Sequence, residues 1–562
     1  MSTARRQRVS IAGPPLNANL GKLGPRPEER SERGAEQMST ARRAAVYNRF
    51  WHSMGGGERH SGMIAQVLSA GGVEVDLIAH GDVDRDELAA RLGLDLAKCT
   101  MRPVPDRGDT EIARLSAEYD LFVNSTYMSR VEPRSARSAY LCFFPTPFDH
   151  DLARWRKLAI RTFGPYLRPA AGYLFFQFGT GWFPPEGGRR RRWTWTNGDA
   201  VLSLDPGPQR VLQADFGRVG GPGPCQLTVV DERGAAIDRF EVTPEFRRQR
   251  ILLPATADGL ELHLRSDAFI PGPADPRSLG VAISRMRFLG ALGFREQMAL
   301  RFPWMMRDPS DLSFLSKYDV VLANSRYTEG WVERLWGTRA DILYPPIDVA
   351  DIHPGQVREK SILTVGRFFA PGLGHAKRQL EIVRFFGQIV RSGGLPGWTL
   401  HVVGGCEESQ RPYLHRVRQA AAGLPVEIHA NAPRSLVHRL MATSSIFWSA
   451  TGYGEDEESA PWAQEHFGMT TAEAMAGGCV PVVIDRAGQR EIVRDGVDGY
   501  RWRSVDQLAA RTREIAADEE LRAKLSASAV ARAQEYSDEA FAGRWREIVA
   551  RRGLLTPPSA PQ

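Results

Sequence analysis

The chain has 562 residues, of which 42% are hydrophobic and 25% are charged, so it is long enough for about three globular domains. Its formal net charge of +7 is unevenly placed, because residues 1–43 contain nine basic and four acidic residues and the rest is nearly neutral. The charge therefore gives no support to nucleic-acid binding.

Cysteine usage and hydropathy indicate a cytoplasmic protein. Five scattered cysteines without a CxxC pair favour neither a disulfide framework nor a zinc site. No apolar run reaches the roughly 18 residues of a membrane span, and the amino terminus has no apolar signal-peptide region. Residues 1–43, in which MSTARR occurs twice, are expected to be a disordered basic extension with Met38 as a candidate start. Residues 553–562 are expected to be a disordered tail.

From residue 44 onward, strands alternate with helical segments. The predicted strands are AAVYNRF (44–50), VEVDLIAH (73–80), YDLFVNS (119–125), AYLCFFP (139–145) and YDVVLANS (318–325). Residues 361–502 repeat the rhythm with SILTVGRF, WTLHVVGG, VEIHANA, SIFWSAT and CVPVVID, separated by helices such as 376–391 and 434–443. This pattern predicts two doubly wound domains that join near 342–348 and bind ligands in the cleft between them.

Residues 179–290 have a different sequence pattern. Short runs of alternating apolar and polar residues are separated by frequent turns, and no helical period is present. This is typical of an antiparallel β-sandwich. Trp182, Trp193 and Trp195 could stack on a sugar ring, but we favour packing roles for them. The run Arg189–Arg192 is interpreted as a solvated loop.

The glycine-rich segment GGGERHSG, residues 55–62, follows the first strand and opens a helix. Glycines let a ligand approach the backbone closely, and a helix N-terminus favours an anion. The segment fits neither GxGxxG nor the P-loop pattern, so a dinucleotide or nucleoside-triphosphatase site is not indicated. A glycine-rich turn also occurs between strand and helix without any ligand, and this alternative stays open.

A pair of cations flanks the loop of residues 365–379. Arg367 comes just after a predicted strand and Lys377 starts the following helix. Two cations fixed across one loop would bind a diphosphate and neutralise the charge that grows on a departing nucleotide. Both side chains could instead be solvated surface groups, but their position at the carboxyl end of a strand favours function.

The segment EHFGMTTAEAMAGG, residues 465–478, holds two acids eight positions apart, Glu465 and Glu473. Free amides near Phe467–Thr470 would form an anion site at the start of a helix. Glu465 would enter the cleft before that helix, and Glu473 could accept hydrogen bonds from ribose hydroxyls. In the alternative interpretation, TTAE is a capping box with Thr470 at the N-cap, so that Glu473 only stabilises the helix. The spacing does not decide between them.

These segments resemble family 4 glycosyltransferases of the GT-B fold. The resemblance rests on GRF with Lys377, on EHFGMTTAEAMAGGCVPV and on GQREIVRDGVDGY, and it covers residues 44–178 and 291–550. GGGER and EHFG are nearest to the enzymes that add mannose from GDP-mannose to lipid-linked oligosaccharides. The resemblance implies a hexosyltransferase of polysaccharide biosynthesis with a nucleotide-sugar donor, a glycan or lipid-linked acceptor, retention of configuration, and neither metal nor cofactor.

The resemblance also implies roles for individual residues. Arg367 and Lys377 would hold the diphosphate, Glu465 the transferred sugar and Glu473 the ribose. Further donor-binding positions would be Gly366, His466, Phe467, Gly468, Met469 and Thr470. The amino-terminal loop of Gly55, Gly56, Gly57 and Glu58 would face them. Relatives have a sugar-contacting histidine where this chain has Phe143, and His150 is a candidate substitute.

The resulting domain prediction has six parts. They are a basic extension (1–43), a Rossmann-like acceptor domain (44–178 and 291–340), an inserted β-sandwich (179–290), a Rossmann-like donor domain (341–535), a helix returning to the first domain (536–552) and a tail (553–562).

The expected reaction is a substitution on the same face of the sugar. Arg367, Lys377 and the helix start at 468–470 would stabilise the departing diphosphate while the acceptor hydroxyl attacks from the face that the diphosphate leaves.

Several alternatives accompany this prediction. The donor could be a UDP-sugar carrying glucose or N-acetylglucosamine, or the chain could be a non-catalytic carbohydrate-binding protein with a degenerate GT-B body. A GT-B phosphorylase would need a pyridoxal lysine that we do not identify.

Two further segments have competing interpretations. The acidic DVDRD (82–86) is interpreted as a turn and helix start rather than a metal site. The basic and apolar stripes of 152–168 could contact an anionic membrane, but we favour a helix packed on its own sheet.

Overall fold

The structure is a computed structural model that describes residues 42–104, 109–150, 152–168, 176–187, 191–204, 207, 209–256, 259–272, 275–289, 294–306, 308–355, 357–371 and 376–555. The predicted extension apart from Arg42 and Arg43, residues 556–562 of the predicted tail, and Arg189 and Arg190 lie outside these ranges.

The amino-terminal segment alternates strands and helices. Its elements are β1 (Arg43–Tyr47), α1 (Gly56–Ala70), β2 (Glu74–His80), α2 (Arg85–Leu92), β3 (Cys99–Val104), α3 (Asp109–Ser116), β4 (Leu121–Asn124), β5 (Arg137–Cys142) and α4 (Arg154–Leu167). Asp84 is the N-cap of α2 and accepts a hydrogen bond from the Glu87 amide. The DVDRD segment is therefore a helix start, as predicted.

The middle segment consists of antiparallel strands. They are β6 (Phe176–Phe178), β7 (Glu186–Gly187), β8 (Arg192–Trp195), β9 (Asp199–Leu204), β10 (Arg210–Gly217), β11 (Cys225–Val230), β12 (Ala236–Val242), β13 (Arg247–Leu253), β14 (Leu260–Ser266) and β15 (Ala282–Leu289). Two five-stranded sheets, β13-β10-β15-β8-β7 and β12-β11-β14-β9-β6, share one hydrophobic core. Trp195 is buried and the Trp182 indole donates to the Val201 carbonyl at 2.6 Å, so both have packing roles.

The chain then returns to the first sheet with α5 (Phe294–Arg301), β16 (Val320–Ala323), α6 (Arg326–Trp336) and β17 (Asp341–Ile342). The first sheet has the order β17-β16-β5-β4-β1-β2-β3, and its pairs are parallel. Alternate residues of β1 face opposite layers of core, with Ala44 and Val46 on one side and Ala45 and Tyr47 on the other.

The carboxy-terminal segment forms a second parallel sheet. Its elements are β18 (Glu359–Val365), α7 (Gln379–Arg391), β19 (Thr399–Gly404), α8 (Arg411–Ala421), β20 (Val426–Ala430), α9 (Arg434–Thr443), β21 (Ser444–Ser449), α10 (Met469–Ala476), β22 (Val480–Ile484), α11 (Gln489–Ile492), β23 (Tyr500–Trp502), α12 (Val505–Ala517), α13 (Glu519–Ala533) and α14 (Asp538–Arg551). The strand order is β20-β19-β18-β21-β22-β23.

Both parallel sheets have the doubly wound order, which reverses between β1 and β4 in the first and between β18 and β21 in the second. Ligands of such sheets bind beyond the carboxyl ends of the strands at this reversal. After the second sheet, α14 returns to the first, where Phe541, Trp545 and Ile548 join its core. Two such sheets define the GT-B fold and confirm the predicted fold class. The limits assigned to the domains stay a prediction.

Helix α4 does not pack as we expected. It contacts residues 294–306, with Gly164 close to the Met305 carbonyl, and its Ile160, Gly164 and Leu167 are buried. Leu158 is 60% exposed, and Trp155 is 61% exposed although its ring lies 5.5 Å from that of Trp304. The preferred prediction, that the apolar stripe packs on the chain's own sheet, is therefore wrong. Within the described ranges, no helix has both the length and the apolar character needed to cross a bilayer.

Candidate active site

The glycine-rich loop lies at the carboxyl end of β1, where the order of the first sheet reverses. A Cβ atom at Gly56 would lie 2.7 Å from Sδ of Met469, the first residue of α10. A Cβ atom at Gly57 would lie 3.4 Å from the Phe143 ring. The amino-terminal glycine loop and the start of α10 therefore face each other at close range, as only residues without side chains permit.

Glu58 holds this loop in shape from within. Its carboxylate accepts hydrogen bonds from the Gly55 amide at 2.8 Å and from the Ser53 hydroxyl at 2.6 Å. This is the reciprocal half of a capping box in which Gly55 is the N-cap of α1. Because Glu58 is buried, it positions the glycines.

Gly366, Lys377 and Glu465 come together at the carboxyl ends of β18 and β21. The Lys377 ammonium forms an ion pair with the Glu465 carboxylate, which also accepts a hydrogen bond from the Thr451 hydroxyl at 3.1 Å. Gly366 lies directly against the Lys377 side chain, so a Cβ atom there would clash with it. The sequence predicted the first three residues but missed Thr451, which follows β21 at the reversal point.

Arg367 is the exposed cation of this cluster. Its guanidinium lies 4.7 Å from the centroid of the Phe369 ring, and among the described residues no carboxylate forms an ion pair with it. The Gln379 side chain donates to the carbonyls of Gly366 and Arg367 at 2.9 and 3.0 Å. The loop backbone is thus fixed, whereas the guanidinium stays available to an anion.

The start of α10 supplies free backbone donors. Gly468 is the N-cap, with φ at 116°, a value that favours glycine. The amides of Met469 and Thr470 have no acceptor among the described residues. The Phe467 side chain, by contrast, packs in a buried cluster with Tyr344 and Tyr536, so only its backbone faces the candidate site.

Glu473 does not cap its helix. The N-cap is Gly468 and no side chain caps this end of α10, so the capping-box alternative with Thr470 is wrong. Within the described part of the chain, Glu473 has neither an ion pair nor a side-chain hydrogen bond. Burial raises the pKa of Glu473, and the nearby guanidinium groups of Arg59 and Arg434 lower it in part. Glu473 is therefore a half-buried acid with unused acceptors.

His466 lies in an aromatic stack that joins the two parallel-sheet regions. Its ring is 4.1 Å from the Phe144 ring, with 12° between the planes. The Tyr327 ring is nearly parallel and 6.4 Å away. The sequence predicted His466 as a donor residue but gave no sign of this stack, because Phe144 and Tyr327 are far from it in the chain.

Phe143 and His150 have different surroundings. The Phe143 ring lies 5.9 Å from the ring of His60, which is completely buried. Burial, with a smaller contribution from Arg59, lowers the pKa of His60 to about 3. His150 is exposed, and its ring lies 6.3 Å from that of Trp462. The side chains of Phe143 and His60 thus lie together next to the glycine loop, and burial favours the neutral form of the His60 imidazole.

Glu491 makes a contact between the two parallel-sheet regions that the sequence analysis missed. Its carboxylate accepts hydrogen bonds from the amides of Arg326 and Tyr327 at 2.9 and 2.8 Å. It also accepts one from the Tyr344 hydroxyl at 3.1 Å. An acid of α11 thus binds the N-terminus of α6. The segment GQREIVRDGVDGY contains this residue, but its sequence does not indicate that Glu491 binds the N-terminus of α6.

Arg59 makes a second contact of this kind. It forms a bidentate pair with Asp538 of α14, at 3.0 and 2.9 Å, and donates to the Pro346 carbonyl at 2.9 Å. Because Arg59 follows the glycine loop on α1, this pair fixes the loop relative to the connection between the sheets.

The two parallel sheets have the GT-B fold, and a sequence comparison finds part of the chain similar to a family of glycosyltransferases. Residues 352–532 match the family model of glycosyl transferases group 1. The matched segment includes the predicted donor-binding positions from Gly366 to Glu473, and it lies outside the amino-terminal sheet and the antiparallel strands.

Two curated relatives are similar over part of their length. Both are GDP-Man:Man(3)GlcNAc(2)-PP-Dol alpha-1,2-mannosyltransferases. The Dictyostelium discoideum protein is 24% identical over 247 residues, which cover 41% of this chain and 46% of that protein. The Neurospora crassa protein is 26% identical over 265 residues, covering 41% and 44%. The match thus spans less than half the length of these relatives.

Among solved structures, that of Anabaena Alr3699/HepE in complex with UDP and glucose is similar with a TM-score of 0.49. The sequence identity is 11%, and the alignment covers 91% of this chain and 100% of that chain.

Proposed function

We propose that the protein is a retaining glycosyltransferase that moves a hexose from a nucleotide-sugar to a glycan or lipid-linked acceptor without a metal ion. The observation that carries the proposal is the cluster of Lys377, Glu465 and Thr451 at the strand reversal of the second sheet. The glycine loop lies across from it against Met469. GDP-mannose is the donor that the similarity to the mannosyltransferases favours.

The donor diphosphate would bind where positive charge and free amides meet. Arg367 is exposed and has no acidic partner in the described ranges, and the amides of Met469 and Thr470 are free. Lys377 is fixed beside this position by its ion pair with Glu465. As the bond between the sugar and the diphosphate breaks, these groups would stabilise the charge on the leaving oxygen.

Glu465 would orient the transferred sugar. In the proposed step the bond from C1 to the phosphate oxygen breaks and the acceptor oxygen bonds to C1 on the same face. The hydroxyl proton passes to the departing phosphate. The Glu465 carboxylate, fixed by Lys377 and Thr451, would stabilise the positive character that develops on the ring. Glu473, with no competing hydrogen bond in the described structure, would accept from the ribose hydroxyls.

Helix α4 supports a peripheral contact with an anionic membrane, where lipid-linked acceptors lie. Its exposed stripe of Trp155, Leu158, Phe163 and Tyr166 is flanked by the exposed cations Arg154, Arg156 and Arg161. Apolar side chains between cations are the pattern of a helix that lies in a bilayer interface. On this proposal the protein works on the cytoplasmic face of the membrane.

The experiment is a panel of GDP-, UDP-, ADP- and dTDP-sugars, tested first by thermal shift and then for transfer of labelled sugar. We expect GDP-mannose to raise the melting temperature most and to be the donor. A larger shift with UDP-glucose or UDP-N-acetylglucosamine would identify the alternative donor class. If no sugar nucleotide binds, the proposal fails, and a non-catalytic carbohydrate-binding protein becomes the alternative to test.

A further inference from the structure

Two histidines and an acid meet at the outer edge of the second sheet. His401 lies on β19, and Glu427 and His429 lie on β20, the edge strand. In the parallel register, His401 is opposite Glu427, and Val403 is opposite His429. Since alternate residues of a strand point to the same face, all three side chains project from one face of the sheet.

The donor atoms of the three side chains form a compact triangle. His401 Nδ1 is 3.3 Å from His429 Nε2, and each of these nitrogens is 3.5 Å from the same Glu427 oxygen, Oε2. Ligands at about 2.0–2.1 Å from a tetrahedral zinc ion are themselves about 3.3–3.4 Å apart. The triangle therefore already has the size of one face of a zinc coordination tetrahedron.

Charge and burial suit a metal ion. His401 is buried, His429 is half-buried and Glu427 is exposed. Neutral imidazole and carboxylate are the forms that bind metals. The two rings are inclined by 35° with centroids 5.5 Å apart, so they meet through nitrogen atoms and not face to face.

We propose that His401, Glu427 and His429 bind a zinc ion that joins the edge strand β20 to β19. Two histidines and one carboxylate are a zinc ligand set, and the exposed side at Glu427 admits water as the fourth ligand. None of the three residues belongs to the proposed donor site. The ion would brace β19, whose last residue, Gly404, contacts the Gly366 backbone.

The competing explanation is a hydrogen bond between the two imidazoles, with Glu427 as a nearby acceptor. That arrangement needs a proton on one of the two facing nitrogens, whereas zinc binding needs both nitrogens to offer a lone pair. The two explanations therefore differ in whether an added metal ion displaces a proton.

The test uses the full chain after treatment with EDTA, titrated with Zn²⁺ by calorimetry and with Co²⁺ by visible absorption. We expect one equivalent of zinc to bind and Co²⁺ to give the intense bands of tetrahedral coordination. His401→Ala and His429→Ala should each weaken zinc binding at least tenfold. His415→Ala is the matched control, because His415 is an exposed histidine on the neighbouring α8, and it should bind zinc like the unmodified chain.

Glu427→Gln gives a variant whose folding is not at risk, since Glu427 is exposed. It should also weaken zinc binding, and circular dichroism would verify that all variants are folded. The proposal is overturned if the unmodified chain binds no more zinc than the folded Glu427→Gln/His429→Ala variant. The two histidines would then form only a hydrogen bond.

Discussion

The Glu465 carboxylate has two partners of different kinds, the Lys377 ammonium and the Thr451 hydroxyl. The pair is mostly shielded from water, since the two side chains are 18% and 12% exposed. A diphosphate that reaches Lys377 would therefore change the charge around Glu465 at the moment when the sugar arrives. In the proposed reaction, donor binding and the environment of Glu465 are therefore coupled through Lys377.

Glu465→Gln should lower the rate of transfer about 100-fold or more, because the neutral amide cannot stabilise positive charge on the sugar ring. Donor affinity should change much less, and the measurement is kcat and KM for the best donor of the panel. Glu458→Gln is the control, since Glu458 is exposed and pairs with Arg334 on the surface. Full activity of Glu465→Gln would refute the role assigned to Glu465.

His60 should make the protein less stable in acid. Its pKa is about 3 in the folded chain, against an ordinary value of 6.5. As the pH falls below 6.5, the unfolded chain takes up a proton that the folded chain refuses. This group therefore costs about 1.4 kcal/mol of stability per pH unit down to about pH 3.

His60→Leu should remove this contribution and flatten the dependence of melting temperature on pH. Both His60 nitrogens are buried without a hydrogen-bond partner in the described structure, so the change should not destabilise the chain at pH 7. His415→Leu, at an exposed site, is the control. An unchanged acid dependence in His60→Leu would show that other groups dominate.

At this scale the sequence brought together Gly366, Lys377 and Glu465 as one candidate site, but it did not predict their contacts. The sequence TTAE matches the capping-box pattern, but the helix begins before Thr470, because Gly468 is the N-cap and has a positive φ. Such a start depends on how Gly468 packs against Gln489 and Ile492, residues about 20 positions away. Local letters cannot show that packing.

At the scale of elements, the glycine loop at the start of α1 lies closely against the start of α10. Gly56→Ala would place a methyl group where Met469 Sδ is 2.7 Å away. Overpacking of this size costs about 1–3 kcal/mol, and we expect transfer to fall about tenfold or more. Met469→Ala in the same chain should restore much of the activity, which kinetic measurements on the single and double variants would show.

If Gly56→Ala has full activity, the glycine serves only the turn. If the double variant is no better than the single one, the contact with Met469 is not the cause of the loss.

The exposed stripe of α4 predicts binding to anionic vesicles. Trp155→Glu together with Leu158→Glu should weaken co-sedimentation with phosphatidylserine-containing vesicles at least tenfold, because two apolar side chains are lost and two repelled charges are added. Leu252→Glu is the control, since Leu252 is similarly exposed, at 58%, on the antiparallel strands. If all variants bind the vesicles equally, the proposed membrane contact through α4 is refuted.

Element prediction failed where tertiary contacts decide the outcome. The strand β3 was not predicted, and it is an edge strand containing Arg102 and Pro103, a weak pattern by itself. The period of α4 gave the correct helix but the wrong packing side. Its buried face needs residues 294–306, which follow the antiparallel strands in the chain and could not be placed against it.

At the scale of the whole molecule, Glu491 joins the two parallel-sheet regions by binding the N-terminus of α6. Glu491→Ala should free the amides of Arg326 and Tyr327 and speed their hydrogen exchange about 10–100-fold, since hydrogen bonds to a charged group contribute about 1.5–3 kcal/mol. Exchange mass spectrometry of this segment is the measurement. Glu333→Gln, an exposed change on the same helix, should leave it unaltered. Unchanged exchange in Glu491→Ala would contradict the contact.

The alternation of strands and helices predicted both parallel sheets and hence the GT-B fold. This was possible because the hydrophobic pattern of a buried strand is visible within a few consecutive residues. The contacts that join the regions were beyond the sequence. Arg59 and Asp538 are 479 positions apart, and no pattern of letters links them.

The return of α14 to the first sheet also sets an order of events during synthesis. Phe541, Trp545 and Ile548 complete a core whose first strand begins at Arg43. At about 5–20 residues per second, the ribosome needs roughly 25–100 s to add the 479 residues between Arg59 and Asp538. For that time the nascent first sheet has an uncovered apolar surface, so the growing chain is a natural client for chaperones. A ribosome that stalls before residue 538 would release a chain that cannot cover this surface.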